Sequence, residues 1–354
     1  MRMRVQTLAV ALAAALPVAS IDQTAHGQSS GRALVARAPA RHHGFQYDQT
    51  SLPPTTRLAL ANAAVALANA TVANKSAVVV VFGLHRRSFG CAWPEQRRRL
   101  VKPLEALGVK VTVWELAMLP AAGEKVDGVP YERTEGCAFD LCEIVSQDAA
   151  NAAADAFVAR NCGKAGCRVR GHAYGYTASK PRAYNTARQF HSELAVAARI
   201  RDAPFDVAIA ISEDLVPLGS LTMGDVAAAS TPGVVVTSRG WDWGGVTNGF
   251  YAATPKTLAT VMSAAPRLEE LIELETRSGK PLMLQGNYEG VLARHLIQSN
   301  LTRAVFERDA RFPKIRHSGA VARPGGRAFH FGGDCAAVSS EMRRCVERKG
   351  HFRC

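Results

Sequence analysis

An α/β fold with a mostly parallel central sheet flanked by helices is what this sequence predicts, and three observations carry the expectation. Residues 77–82 read Ala-Val-Val-Val-Val-Phe, a short, β-branched and unbroken apolar run of the kind buried on both faces of a sheet. A helix-length segment opening at Pro94 and stopped by Gly108 separates it from a second apolar strand at 109–116, which makes a β-α-β unit. The alternation returns later, where a long helical segment at 179–201 leads through Pro204 into an apolar strand at 205–211.

Taken in order, residues 1–27 have the layout of a secretory signal. Arg2 and Arg4 precede an apolar stretch of about 15 residues that contains Pro17, short of the roughly 20 residues of a bilayer span. Either a cleaved signal peptide or an uncleaved signal anchor is expected, so contact with a membrane depends on that segment. Residues 28–54, rich in Ser, Ala, Pro, Arg and His, read as a flexible stem, and the Ala/Leu-rich run at 55–73 reads as a helix. Gly83 is expected to end the first strand. Residues 117–176 hold four cysteines and one Ala-rich helical stretch at 148–160, the pattern of a disulfide-tied insertion. Short strands are expected at 233–237 and 249–253, and helices at 255–263, 267–277 and 287–299. One α/β domain at 75–335 follows, closed by a basic, Cys-containing tail at 336–354.

Composition narrows the function classes. With 47% hydrophobic residues the 354-residue chain is not intrinsically disordered. The net charge of +13 comes from 33 Arg and only 10 Lys. Guanidinium groups recognise phosphate and carboxylate in a bidentate manner, which directs attention to acidic or phosphorylated ligands, although compositional bias toward Arg and Ala accounts for much of the total. Eight cysteines, at Cys91, Cys137, Cys142, Cys162, Cys167, Cys335, Cys345 and Cys354, suit an oxidising compartment, and Cys137/Cys142 and Cys162/Cys167 are close enough in sequence to close small loops. No Cys-x-x-Cys or paired His spacing supports zinc. Sequons at Asn69, Asn74 and Asn300 agree with a secretory route, into the ER or Golgi lumen or out of the cell. A leader of this kind takes the chain away from nucleic acid, and no Gly-x-Ser-x-Gly turn marks a serine hydrolase.

Three segments have the residue types for chemistry. The strand at 206–211 ends in Ser212-Glu-Asp214, two adjacent carboxylates where ligands of open α/β sheets bind. Such a pair can hold Mn²⁺ or Mg²⁺, which takes phosphate oxygens for its remaining ligands; the alternative is a solvated acidic turn. After the first strand, Phe82-Gly-Leu-His-Arg-Arg-Ser-Phe89 offers Gly83 for close backbone approach and Arg86, Arg87 and Ser88 as donors to a phosphate. The third segment, Ser238-Arg-Gly-Trp-Asp-Trp-Gly-Gly-Val-Thr-Asn-Gly-Phe-Tyr251, sets Trp241 and Trp243 around Asp242 beside Gly244 and Gly245. Flat apolar faces next to a carboxylate suit a sugar, and a tight loop with a core tryptophan is the competing reading.

In order and spacing these segments, together with Gly286-Asn-Tyr-Glu289 opening a helix, resemble a divergent group of nucleotide-sugar glycosyltransferases with the GT-A fold, over about residues 77–300. The resemblance implies that Gly83, Arg86, Arg87 and Ser88 touch the nucleotide. It implies that Asp214 is the last acid of an Asp-x-Asp metal motif in which Ser212 replaces the first, with Glu213 as the substitute ligand. It implies that Trp241, Trp243, Gly244, Gly245 and Asn248 shape the acceptor side, and that Asp242 or Glu289 is the catalytic acid or base. His330 is the candidate late metal ligand. The expected partners are a nucleotide-sugar donor and a glycan or glycoprotein acceptor. The alternative is a transferase-like protein without catalysis that binds polyanionic glycans through its Arg-rich surface, an idea fed by the +7 local charge of residues 302–354.

Overall fold

The computed structural model describes residues 72, 74–85, 89–120, 123–126, 129–131, 136–163, 166–170, 177–178, 180–238, 246, 248–267, 270, 288–306, 312, 314–315, 320–322 and 329–330. The leader, the stem, most of the 55–73 helix, nearly all of the 267–277 helix and the tail lie outside the described residues.

A mixed seven-stranded sheet forms the centre, in the order β12-β10-β11-β9-β1-β2-β5. Its strands are β1 (Ser76–Leu84), β2 (Lys110–Leu119), β5 (Leu141–Ser146), β9 (Val207–Ser212), β10 (Val234–Thr237), β11 (Phe250–Ala253) and β12 (Thr302–Val305). β1 is paired in parallel with both β2 and β9, β2 with β5, and β10 with β12; β11 alone runs against its neighbours. The Val-rich run behaves as its composition requires, with Ala77 to Val80 wholly buried at the middle of the sheet. At the start of β1 and β9, the Asp206 carboxylate accepts from the Ser76 backbone at 2.8 Å and hydroxyl at 3.0 Å, which ties the two strands at their entry.

Alternate side chains of β1 enter opposite layers. Val78, Val80 and Phe82 pack under the long helix α4 (Lys180–Ile200) with α3 (Asp148–Asn161), α6 (Pro255–Val261) and α7 (Tyr288–Gln298). Ala77, Val79 and Val81 pack on the other face, with Leu100, Val101 and Leu104 of the first crossover and Val226 and Ala229 of α5 (Met223–Ala229). α5 begins with a reciprocal cap between Thr222 and Asp225. Small sheets of β3 (Lys125–Val126) with β4 (Val129–Pro130), of β6 (Cys162–Gly163), β7 (Gly166–Arg170) and β8 (Thr177–Ala178), and of β13 (Lys314–Ile315), β14 (Ala320–Ala322) and β15 (Phe329–His330) stand around the main one.

Three expectations are corrected and one strand is added. Gly83 does not end β1, which runs on to Leu84. The first crossover begins at Phe89 rather than Pro94, so Pro94 lies inside α1 (Phe89–Gln96), and a π-helical stretch at Arg97–Val101 separates α1 from α2 (Lys102–Ala106). Pro103 supplies a physical reason for that irregularity. It has no N–H to give to the carbonyl four residues back, and the freed Arg99 carbonyl accepts instead from the Leu221 backbone at 2.9 Å. Residues 117–176 do not stand apart as an insertion, because β5 extends the main sheet. Finally, β12 is a sheet strand that the sequence pattern did not reveal. The Cys137–Cys142 disulfide is present, and Cys91 and Cys162 are disulfide-bonded too. Asn74 and Asn300 are exposed at positive-φ turns, where a sequon would be accessible. Among the described residues, no helix is long and apolar enough to cross a membrane.

Candidate functional site

The strand order reverses at β1. From β1 the chain passes to β2 and β5 on one side, then returns to β9 on the other, so the crevice beyond the carboxyl ends of β1 and β9 is the topological switch point. Gly83 and Ser212-Glu213-Asp214 sit there. Their meeting is direct: the Glu213 backbone donates to the Phe82 carbonyl at 3.0 Å, and a Cβ on Gly83 would stand 3.3 Å from Glu213 Cγ and 3.8 Å from Ser212 Oγ. Gly83 has φ +132°, a conformation that a side chain would oppose as well.

The acidic turn is folded in rather than solvated. Glu213 and Asp214 are 6% and 3% exposed, which removes the reading of a simple surface cap. The Ser212 hydroxyl donates to Asp214 Oδ1 at 2.7 Å, and its backbone N–H donates to the Gly249 carbonyl at 2.7 Å. From the crossover, Gln96 Nε2 donates to the carbonyls of Ser212 at 3.1 Å and Leu215 at 2.8 Å, fixing both ends of the turn. Gly249, with φ +87°, lets β11 approach so closely that a Cβ would meet Leu215 Cδ1 at 2.8 Å.

Two further strands of evidence converge here. Asn248, at the entry to β11, is buried and accepts from Lys314 Nζ at 3.2 Å, while Lys314 forms a backbone bridge with Leu215. On the β2 side, His85 Nδ1 lies 2.7 Å from Glu115 Oε1, both residues buried. The His85 backbone donates to the Met118 carbonyl at 2.8 Å, and its carbonyl accepts from the Tyr131 hydroxyl at 2.7 Å. The chain is thus held at three points immediately before residues 86–88. Glu289 opens α7, and its carbonyl accepts from the Val246 backbone at 3.0 Å, so the end of the Trp-rich segment is tied to that helix.

Of the residues expected from sequence, Gly83, Glu213, Asp214 and Asn248 are brought together, and Glu289 is joined to them through Val246 and the short run into Asn248. Arg86, Arg87, Ser88, Trp241, Asp242, Trp243, Gly244 and Gly245 lie outside the described residues. His330 belongs to β15 by its backbone, and its side chain is outside them. The described residues form no group of three or more His, Cys, Asp or Glu able to hold a metal. Their donor set fits a hard divalent ion only as a pair of adjacent carboxylates completed by oxygens of a ligand.

Sequence reasoning missed His85, Glu115, Gln96 and Lys314. Glu115 had a signal, since it is the one charged residue in the apolar run Val113–Leu119 of β2 and needed a buried partner. Lys314 had none, because its place depends on a fold contact with Leu215 far away in sequence. No protein-family model matches the chain, and no curated protein is significantly similar to it.

Proposed function

We propose that this chain is a glycosyltransferase of GT-A-like architecture, transferring a sugar from a nucleotide-sugar donor to a glycan or glycoprotein acceptor in the secretory pathway. The observation that carries the reading is the junction of Gly83 with the buried Ser212-Glu213-Asp214 turn at the switch point, the place where open α/β sheets bind their ligands. Glu213 and Asp214 would hold Mn²⁺ or Mg²⁺, which when bound neutralises charge on the departing diphosphate. Arg86 and Arg87 follow the anchored His85 and give the same oxyanions charged donors. Glu289 or Asp242 takes the proton of the acceptor hydroxyl, or orients it, and the tryptophans offer the sugar a flat face.

The test is thermal stabilisation by a panel of nucleoside diphosphates and nucleotide sugars, with and without Mn²⁺. Metal-dependent stabilisation by one nucleotide supports the reading; none with any member removes it. In a transfer assay, Asp214→Asn should lose at least about a hundredfold in rate while keeping its fold. A folded variant with unchanged rate would sink the proposed metal role.

One observation favours the second reading, a non-catalytic binder of polyanionic glycans. The Ser212 hydroxyl occupies an oxygen of Asp214 where an additional acid would strengthen metal binding. Salt-sensitive retention on a sulfated glycan, with no nucleotide response, would select that reading.

A further inference from the structure

Among the described residues, Asn248 and Lys314 have more hydrogen-bond donors than acceptors to take them. Lys314 has a donor-only ammonium, so the Asn248 amide oxygen must face it, which fixes the orientation of the amide. Its amide nitrogen then makes no hydrogen bond among the described residues, in a residue that as a whole is more than nine-tenths buried. Lys314 is half-buried, and no carboxylate among the described residues lies within ion-pair distance of it. Glu213 and Asp214 are on the very turn whose Leu215 bridges to Lys314, yet the ammonium bonds an amide. A half-buried cation with no counter-charge within ion-pair distance among the described residues, beside an amide N–H₂ with no acceptor among them, is complementary to an oxyanion.

The position is rigidly supported. Phe312, two residues before Lys314, is wholly buried, with its ring centroid 4.6 Å from that of Phe250 and 5.4 Å from that of Phe306. Phe250 is itself 5.7 Å from Phe306, so three aromatic rings from β11, the end of β12 and the strand-to-strand connection lock the segment in place. Asn248 is held through the next residue, Gly249, whose carbonyl accepts from Ser212. The backbone that carries both donors is therefore held at the carboxyl end of β9.

From these contacts we infer that Asn248 and Lys314 form an oxyanion subsite that takes a phosphate group, the phosphate of the nucleotide-sugar donor if the reading above holds, on which this clause rests. Asn248 thereby serves the phosphate rather than the acceptor. The ammonium and the amide contact phosphate oxygens from the protein side, and the positive charge on this chain's C-terminal segment is partly a site residue rather than a loose basic surface.

The test measures binding of inorganic pyrophosphate and of nucleoside diphosphates by calorimetry to the full chain, each with and without Mn²⁺. Two variants are compared with the parent: Lys314→Gln, which removes the charge, and Asn248→Asp, which keeps the shape while neutralising Lys314 and repelling an anion. Circular dichroism and the unliganded melting temperature check that both fold. Expected is pyrophosphate binding by the parent, weakened at least about tenfold in both variants. Equal pyrophosphate and nucleotide affinities in parent and variants overturn the subsite and leave the nucleotide reading standing. Pyrophosphate binding that is lost in the variants, with no nucleotide bound by any form, upholds the subsite and removes the nucleotide-sugar reading. A parent that binds neither pyrophosphate nor nucleotide overturns both.

Discussion

Gly249 shows how much of the site depends on one missing side chain. At φ +87° and 2.8 Å from Leu215 Cδ1, a Cβ there would meet both backbone strain and a collision with the residue that closes the acidic turn. Gly249→Ala should destabilise the chain by about 1–3 kcal/mol, read from the midpoint of urea unfolding, and a neutral result would remove the close approach of β11 from the account. His295 makes a separate prediction at this scale. Burial among the α6 and α7 side chains holds its imidazole below the usual histidine value, and the hydrogen bond to the Thr260 carbonyl opposes that effect only in part. Because that carbonyl only accepts, Nε2 carries the proton of the neutral ring. The unfolded chain takes up a proton first as pH falls, so the stability from neutral His295 is present above about pH 6.5 and lost as pH drops through the lower folded value. Urea midpoints at pH 7.5 and 5.5 should diverge more for the parent than for His295→Gln; equal divergence would remove His295 as the cause.

Among the elements, the strands and long helices were legible because their signals are local. The β1 run and the 205–211 strand were found within a few residues, and α4 was placed within one residue at each end, since composition and periodicity act through nearest neighbours. The first crossover was misplaced at its start because Pro94 looked like a first-turn proline; the α1 helix tolerates it further in, and the π-helical stretch with Pro103 then changes the hydrogen-bond pattern. β5 was hidden inside a cysteine-rich stretch, where Glu143 and Ser146 interrupt the apolar run and most of the strand is exposed. As an edge strand flanked by the Cys137–Cys142 bond, it should respond to loss of that bond. The Cys137→Ser/Cys142→Ser double variant is expected to lose about 2 kcal/mol at most by the loop-entropy relation, with hydrogen exchange rising in β5 before β1. Equal exchange across both strands would contradict a local role.

For the whole molecule, the C-terminal segment is part of the core as well as a carrier of charge. Phe306 and Phe312 pack on Phe250, so Phe312→Ala should cost about 3–5 kcal/mol and weaken phosphate binding at the Lys314 subsite together with stability. Loss of stability with phosphate binding intact in the folded fraction would separate the aromatic cluster from the subsite.

The layering follows from local composition: β-branched runs too apolar to leave in water, separated by helices with one apolar face, can be buried in few ways other than a sheet between two helical layers. The sequence also marked Gly83 and the Ser212-Glu213-Asp214 turn, because both lie at the carboxyl ends of strands it had already revealed. Long-range packing, in contrast, makes β11 run against its neighbours, places β5 and β12 at the sheet edges, and brings Gln96, Asn248 and Lys314 to that turn. Those choices depend on pairings between residues from a few tens to about a hundred positions apart, where register is set by the fit of whole faces and no local pattern can specify it.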